Sequence, residues 1–298
     1  MDHDQWRLIM SHIRRIAASL PRPSKRFDYS DAQIVAMFIW SVAHDRPMIW
    51  ACDRRHYNRV FRPRQLPSVS QFHRRVKSER VRLILQRLHE VTGGVLCPTA
   101  LQYIDGKPLP VGNSSKDRDA RIGYAGRRMG IGYKLHVIAT EDRRITCWCV
   151  RPMNEHEMPI ARLMLEHLPE GTFTQRSLIL ADGNYDSHDL YKDVHKRGAR
   201  LVTHLRGRAT HPATLRQMGP ARRELLELNK TSRPLVKMIQ RNRNEIELTL
   251  SNLTSYGGGL GPLPSFVRRL PRVTRWVGVK IVLYHTRLCL RRRAEKNN

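Results

Sequence analysis

The sequence predicts an α/β protein, with a mixed β-sheet flanked by helices, an N-terminal helical domain and a basic C-terminal helical tail. Three observations support this fold class. Residues 1–97 carry apolar residues at helical spacing, residues 98–255 alternate short strand patterns with helical ones, and residues 256–298 join a glycine-rich linker to a basic helix. Strand patterns followed by alternating helices and strands are typical of a mixed sheet flanked by helices. We therefore expect three segments with these bounds.

The first segment contains three helical patterns. The first pattern, WRLIMSHIRRIAASL, stops at Pro-Arg-Pro, and the second follows Ser30 or Asp31, either of which is a suitable N-cap. The third pattern has Ser68 and Ser70 as cap candidates and ends at Gly93. These patterns predict a helical N-terminal domain.

Part of this helical domain is strongly basic. Between residues 53 and 84, only Asp53 and Glu79 oppose a large number of Lys and Arg side chains. A single charge run is usually a solvated helix face, but an excess of one sign this large favours a DNA-binding domain. Arg74 and Arg75 are the candidates for DNA contact in this part of the chain.

The second segment alternates between strand and helix patterns. Its apolar stretches are short, as in strands, and the helical patterns between them are amphipathic. The expected strands are 101–104, 132–140, 145–152, 177–182 and 199–205, and the expected helices are 157–168, 187–198 and 243–253. The first strand is expected to end at Asp105, and the fourth at Asp182.

The net charge restricts the class of partner. The chain has 54 Lys and Arg against 26 Asp and Glu, a formal net charge of +28. Nucleic acid is the commonest partner of so basic a chain, and membrane surfaces and acidic proteins are the alternatives. The longest apolar run, residues 32–43, is shorter than the roughly 20 residues that cross a bilayer, and the N-terminus lacks a signal pattern. We expect a cytoplasmic protein with no membrane association.

Three acidic residues occupy comparable places in the predicted fold. Asp105 and Asp182 each follow an apolar strand, and Glu247 lies four residues after Arg243 on the last predicted helix. Neighbouring strand ends bring side chains together, and carboxylates are the ligands that Mg²⁺ or Mn²⁺ requires. Two such ions support attack on a phosphodiester. Each acid also has a simpler explanation, a turn before glycine for the two aspartates and an i,i+4 ion pair for the glutamate.

Four stretches of sequence resemble those of a known family. YIDGKPLP, GYKLHVIAT, LILADGNYDS and RNEIELTLSNL resemble the catalytic motifs of bacterial insertion-sequence transposases of the DDE type. The resemblance covers roughly residues 100–255 and points to the broad group related to the IS4 and IS5 families. In one pattern of that group, Tyr and Lys stand where this chain has Gln240 and Thr254. Glu245 competes with Glu247 for the third acidic position, and Glu247 is preferred because it shares a helix face with Arg243.

The resemblance implies an RNase H-like core that cleaves the ends of an insertion element and joins them to target DNA. Asp105, Asp182 and Glu247 would be the catalytic residues and would hold the metal, as two Mg²⁺ or Mn²⁺ ions. Arg243, Lys107 and Lys134 would contact DNA. The implied partners are the terminal inverted repeats and target DNA, bound by a homodimer at the bacterial nucleoid.

Two other functions remain open on the sequence alone. One is an RNase H-like nuclease that cleaves DNA without strand transfer, and the other is a basic DNA-binding protein with no catalytic activity. A strand-transfer assay with pre-cleaved ends separates a transposase from a nuclease. Metal-independent binding without nicking would indicate the non-catalytic protein.

Overall fold

The structure is a computed structural model that describes residues 2–21, 27–93, 99–112, 115–126, 128–204, 218–256 and 258–297. The chain divides into two compact units. The helical unit comprises Met1–Val95 and Asn252–Asn298, and the sheet unit comprises Leu96–Ser251.

The helical unit is built mainly from five α-helices, three of which have a capping side chain at the N-terminus, namely Asp2, Ser30 and Ser68. Ser30 rather than Asp31 caps the second helix, since its Oγ accepts a hydrogen bond from Gln33 N at 3.2 Å. Ser68 and Gln71 form a capping box at the start of the third helix. The helices are α1 (His3–Ser19), α2 (Asp31–Ala43), α3 (Val69–Val76), α4 (Glu79–Gly93) and α10 (Leu270–Asn297).

One predicted helix is divided in two. The single helix expected between Ser68 and Gly93 is wrong, because the chain leaves the helix at Lys77 and starts a new one at Glu79. Ser78 Oγ accepts from Val81 N at 3.5 Å and so helps to start α4. The predicted C-terminal helix is present as α10.

Helix α10 packs within the helical unit rather than projecting as a solvated tail. It contacts α1, α2 and α4. The buried Gln5 amide of α1 donates to Leu283 O at 2.9 Å and to Thr286 Oγ1 at 3.1 Å. Lys280 is only 2% exposed, and its ammonium pairs with Asp45 at 2.8 Å. The segment between residues 252 and 298 therefore contributes to the core of the helical unit.

The sheet unit contains the mixed sheet that the sequence predicts. Strands β1, β5 and β6 are parallel neighbours, whereas β3 pairs antiparallel with β1, β2 and β4. The order is β2-β3-β1-β5-β6, with β4 also on β3. The strands are β1 (Leu101–Pro110), β2 (Arg121–Tyr124), β3 (Met129–Thr140), β4 (Ile145–Pro152), β5 (Leu178–Leu180) and β6 (Arg200–Val202).

The strand that carries Asp105 is longer than expected. The prediction that it ends at Asp105 is wrong, because its antiparallel ladder with β3 continues to Pro110. Its parallel pairing with β5 stops at Tyr103. Past Tyr103, no described strand pairs with β1 on the β5 side, so Asp105 lies at an opening in the sheet.

Helices cover the sheet unit. The predicted helices after β4, β5 and β6 are present, and Gly198 ends the second of them in the left-handed conformation, with φ of +81°. The helices are α5 (Glu157–His167), α6 (His188–Lys196), α7 (Pro220–Thr231), α8 (Arg233–Arg241) and α9 (Asn244–Ser251). The sequence did not predict α7 and α8, and residue 205 of the last predicted strand lies outside the described residues. None of the helices described in either unit has the length and hydropathy needed to cross a membrane.

Gly132 on β3 permits close contact with β1. A Cβ atom there would lie 2.3 Å from Leu109 O and 2.9 Å from Pro110 Cα. We expect Gly132→Ala to lower the free energy of unfolding by about 1–3 kcal/mol, since the backbone must shift to admit the methyl group. Urea denaturation measures the change. Gly112→Ala is the control, because a Cβ there meets nothing within 4 Å. An equal loss of unfolding free energy in both variants would contradict the need for glycine at position 132.

Candidate active site

Asp105 is held on β1 next to the opening in the sheet. Its Oδ1 accepts a hydrogen bond from Gly106 N at 2.7 Å. Burial raises the pKa of the Asp105 carboxyl from 3.8 to about 6, the Gly106 N–H opposes this rise, and Asp182 adds to it. Arg243 lowers this pKa and Glu157 raises it. Asp105 is therefore a partly desolvated carboxyl with two other acids and one cation close by.

Asp182 follows β5, the parallel neighbour of β1. Its Oδ1 accepts from Asn184 N at 2.8 Å and its Oδ2 from Asn184 Nδ2 at 3.1 Å, so that it caps a single 3₁₀ turn, Gly183–Tyr185. Parallel strands deliver their C-terminal ends to the same edge of a sheet. The structure thus brings Asp105 and Asp182 to the same edge of the sheet, and Asp182 also caps the turn that follows β5.

Glu247 is connected to this pair through Arg243. Arg243 Nη2 donates to Glu247 Oε1 at 2.9 Å, and the Glu247 side chain is 57% exposed. Glu245, the competing acid, pairs instead with Arg143 at 2.8 Å. Within the described ranges, no group of three or more His, Cys, Asp or Glu side chains is drawn together as a metal-binding cluster. Arg243 is thus close enough to Asp105 to lower the pKa of its carboxyl, and the Arg243 guanidinium binds the Glu247 carboxylate.

Glu157 is a further acidic neighbour, which was not among the residues predicted from the sequence. It starts α5, and its Oε1 accepts from Lys134 Nζ at 2.8 Å. The two side chains are 18% and 11% exposed, respectively. The only signal in the sequence is an acid at the start of the helix that follows β4, which is also an ordinary position for a helix-terminal charge. Lys134, predicted as a DNA contact, is thus engaged by a carboxylate.

Tyr185 is a buried residue near these acids. Its side chain is fully buried, and its hydroxyl has no hydrogen-bond partner among the described residues. Burial, followed by the charges of Glu157, Asp105 and Asp182, raises the pKa of the Tyr185 phenol well above its ordinary value. The hydroxyl therefore stays protonated and is a buried hydrogen-bond donor without an acceptor among the described residues.

The other predicted DNA contacts are in different environments. Lys107 is half-buried on β1, and burial lowers the pKa of its ammonium. In the helical unit, Arg74 is exposed. Arg75 is bound to Asp31 at 2.7 Å and lies 3.9 Å over the Phe27 ring. Arg75 therefore helps to hold the helical unit together, and its role in DNA contact stays a prediction, as does that of Arg74.

Comparison with known proteins identifies one matching family. A family model described as a transposase DDE domain matches residues 98–266. Among solved structures, the chain is similar to one described as "Cryo-EM structure of piggyBac transposase synaptic complex with hairpin DNA". That similarity has 10% sequence identity and a TM-score of 0.40, and it covers 94% of this chain and 73% of the other. No curated protein matches the chain significantly.

Proposed function

Because the chain belongs to the transposase DDE domain family, we propose that it cleaves the ends of a DNA element and joins them to target DNA at a site built on Asp105 and Asp182. The observation that carries this proposal is the meeting of the two aspartates beside adjacent parallel strands, where the charge of Asp182 raises the pKa of Asp105. The net charge of +28 suits a polyanionic substrate.

We assign the divalent metal of this family to Asp105 and Asp182, with Glu247 as the third carboxylate. The donors suit such an ion: Asp105 Oδ2 accepts no hydrogen bond from the described residues, and carboxylate oxygens are the ligands that Mg²⁺ and Mn²⁺ prefer. When bound, a pair of such ions activates an attacking oxygen and stabilises the leaving oxygen of a phosphodiester. Mg²⁺ or Mn²⁺, as two ions, is our proposal for the cofactor.

Arg243 has two tasks in this proposal. It holds the Glu247 carboxylate at 2.9 Å and lies close enough to Asp105 to lower the pKa of that carboxyl. A guanidinium in this position can contact a phosphate and orient Glu247 at the same time. Lys107, which lies on the same strand as Asp105, is the second phosphate contact that we propose.

The helical unit offers a cationic surface for DNA around a cavity of about 210 Å³. Apolar side chains, including Phe38, line most of the cavity, and three arginines, Arg46, Arg272 and Arg275, complete its lining together with Ser41 and His73. None of these arginines forms an ion pair with a carboxylate in the described part of the chain, and the buried Nε of Arg275 has no hydrogen-bond partner there. A cationic cluster without acidic partners favours binding of a phosphate backbone.

If DNA binds at this surface, loss of one of its arginines should change the salt dependence of DNA affinity. Arg275→Gln is expected to lower the slope of log affinity against log salt concentration by about 0.9, the value for one lost phosphate contact. Fluorescence anisotropy with a labelled duplex at several salt concentrations measures the slope. Arg200→Gln is the control, because Arg200 lies outside the basic segment 53–84 and already pairs with Glu224 at 3.0 Å. Equal slopes for Arg275→Gln and wild type would exclude the cavity as a DNA contact.

The proposed activity is tested on the DNA that flanks the gene. If terminal inverted repeats lie there, a duplex carrying one repeat should be cleaved at its end when Mg²⁺ or Mn²⁺ is added. Absence of metal-dependent cleavage on every such duplex would contradict the proposal. We further propose that the chain acts as a homodimer on paired ends and belongs with the bacterial insertion sequences of the IS4 and IS5 group. Light scattering of the DNA complex tests the dimer.

A further inference from the structure

A shielded ion pair lies against the residue that follows Asp105. Lys134 Nζ donates to Glu157 Oε1 at 2.8 Å, and both side chains are mostly buried. A Cβ atom on Gly106 would lie 3.1 Å from Lys134 Cδ and 3.2 Å from Glu157 Oε1. The Glu157 carboxylate is therefore beside the proposed metal site but is neutralised by a lysine.

The hydroxyl of Tyr185 is an independent sign that this arrangement is incomplete. It is a fully buried donor without a partner in the described part of the chain, and Glu157, Asp105 and Asp182 are among the charged groups close enough to act on it. A buried donor without an acceptor is unfavourable. A movement of one of these carboxylates toward the site would supply the missing acceptor.

We propose that Glu157 is a further metal ligand. It exchanges partners: its carboxylate leaves the Lys134 ammonium and joins Asp105 and Asp182 in binding the divalent cation. In the exchanged state, Tyr185 donates a hydrogen bond to a carboxylate of the cluster and steadies it. This inference rests on the proposed function, since it assumes that Asp105 and Asp182 hold the ion.

The exchange assigns a second role to Lys134. A buried ammonium that loses its carboxylate needs another anion, because an unpaired buried charge is strongly unfavourable. The anion supplied by the substrate is a DNA phosphate, so Lys134 becomes a phosphate contact only after Glu157 has left it. Metal binding and DNA binding then strengthen each other reciprocally.

The test measures Mn²⁺ affinity by electron paramagnetic resonance on the full chain, with and without a short DNA duplex. Loss of an outer hydrogen-bond partner alone weakens metal binding by about 10–100-fold, so Glu157→Gln should weaken Mn²⁺ binding at least about tenfold. Glu155→Gln is the matched control and should bind Mn²⁺ as wild type does. The Glu155 side chain is 41% exposed, and its ion pair with Arg151 is long, at 4.0 Å.

Lys134→Gln should shift the affinity in the opposite direction. Without the competing ammonium, Glu157 is free for the metal, so Mn²⁺ should bind more tightly than to wild type in the absence of DNA. Duplex DNA should raise the Mn²⁺ affinity of wild type by about fivefold or more, and this gain should be lost in Lys134→Gln. If Glu157→Gln does not fold, the double variant with Lys134→Gln leaves no buried charge unpaired and should show the same loss of Mn²⁺ binding.

The outcomes separate this inference from the proposed function. Unchanged Mn²⁺ affinity in Glu157→Gln, or in the double variant, together with reduced affinity in Asp105→Asn overturns the role of Glu157 and leaves the proposed function standing. Unchanged affinity in Asp105→Asn as well overturns the metal assignment itself. Weaker Mn²⁺ binding in Glu157→Gln and in Asp105→Asn, with tighter binding in Lys134→Gln, supports the exchange.

Discussion

Asp105→Asn is expected to reduce DNA end cleavage by more than about 100-fold, because it removes a carboxylate that binds the metal directly. Loss of a group that only hydrogen-bonds to a metal ligand already lowers metal affinity or activity by about 10–100-fold. DNA binding should be retained, since the change removes a negative charge and no cationic side chain. A cleavage assay on labelled element ends, with a binding assay in parallel, measures both. Asp189→Asn is the control, as the Asp189 side chain is 61% exposed. Wild-type cleavage by Asp105→Asn would refute the role of this aspartate.

The same variant should not be less stable than wild type. The folded-state pKa of Asp105, about 6, lies above its ordinary value of 3.8 because burial opposes the charged form. A carboxyl with a raised pKa favours folding fully below about pH 4, and this contribution is lost as the pH rises past about 6. At pH 7, the neutral amide of Asn avoids this penalty. A metal-free melting curve that shows clear destabilisation of Asp105→Asn would contradict the described environment.

Asp186→Ala is expected to cause the largest loss of stability, about 3–5 kcal/mol in the free energy of unfolding. The Asp186 side chain is fully buried and accepts two hydrogen bonds from Arg222 of α7, at 2.9 Å and 2.7 Å. Removing one partner leaves the Arg222 guanidinium, which is 11% exposed, without its counter-charge. Urea denaturation followed by circular dichroism gives the change.

Two further variants make this prediction specific. Asp189→Ala removes an exposed carboxylate that lies 3.3 Å from Arg162 and should cost less than about 1 kcal/mol. Replacing both partners, as Asp186→Leu with Arg222→Met, should recover much of the lost stability, because no buried charge then remains unpaired. A loss below about 1 kcal/mol for Asp186→Ala would show that the ion pair contributes little.

Only the part of the candidate site that depends on local pattern could be predicted from the sequence. An apolar run followed by Asp-Gly marks both Asp105 and Asp182, and adjacent strands of one sheet bring such positions together. The mixed sheet and the helices after β4 and β5 follow from the same hydrophobic periodicity. The exact end of β1 does not, because the antiparallel ladder with β3 extends the strand beyond Asp105.

What the sequence could not predict are contacts between residues far apart in the chain. Lys134 and Glu157 look like an ordinary strand residue and an ordinary helix start, and only the fold brings their charges to 2.8 Å. The ion pair of Asp186 with Arg222 spans 36 residues and involves a helix that the sequence did not predict. Tyr185 resembles a turn residue until its burial is known.

The central claim is that Asp105 and Asp182 form the centre at which DNA ends are cleaved and joined. It is tested most directly by a strand-transfer assay that supplies pre-cleaved element ends, target DNA and Mg²⁺ or Mn²⁺. We expect joined products from wild type, none without the metal, and none from Asp182→Asn although that variant still binds the ends. Hydrolysed ends without joined products would indicate a nuclease, and joined products from Asp182→Asn at the wild-type level would contradict the assigned centre.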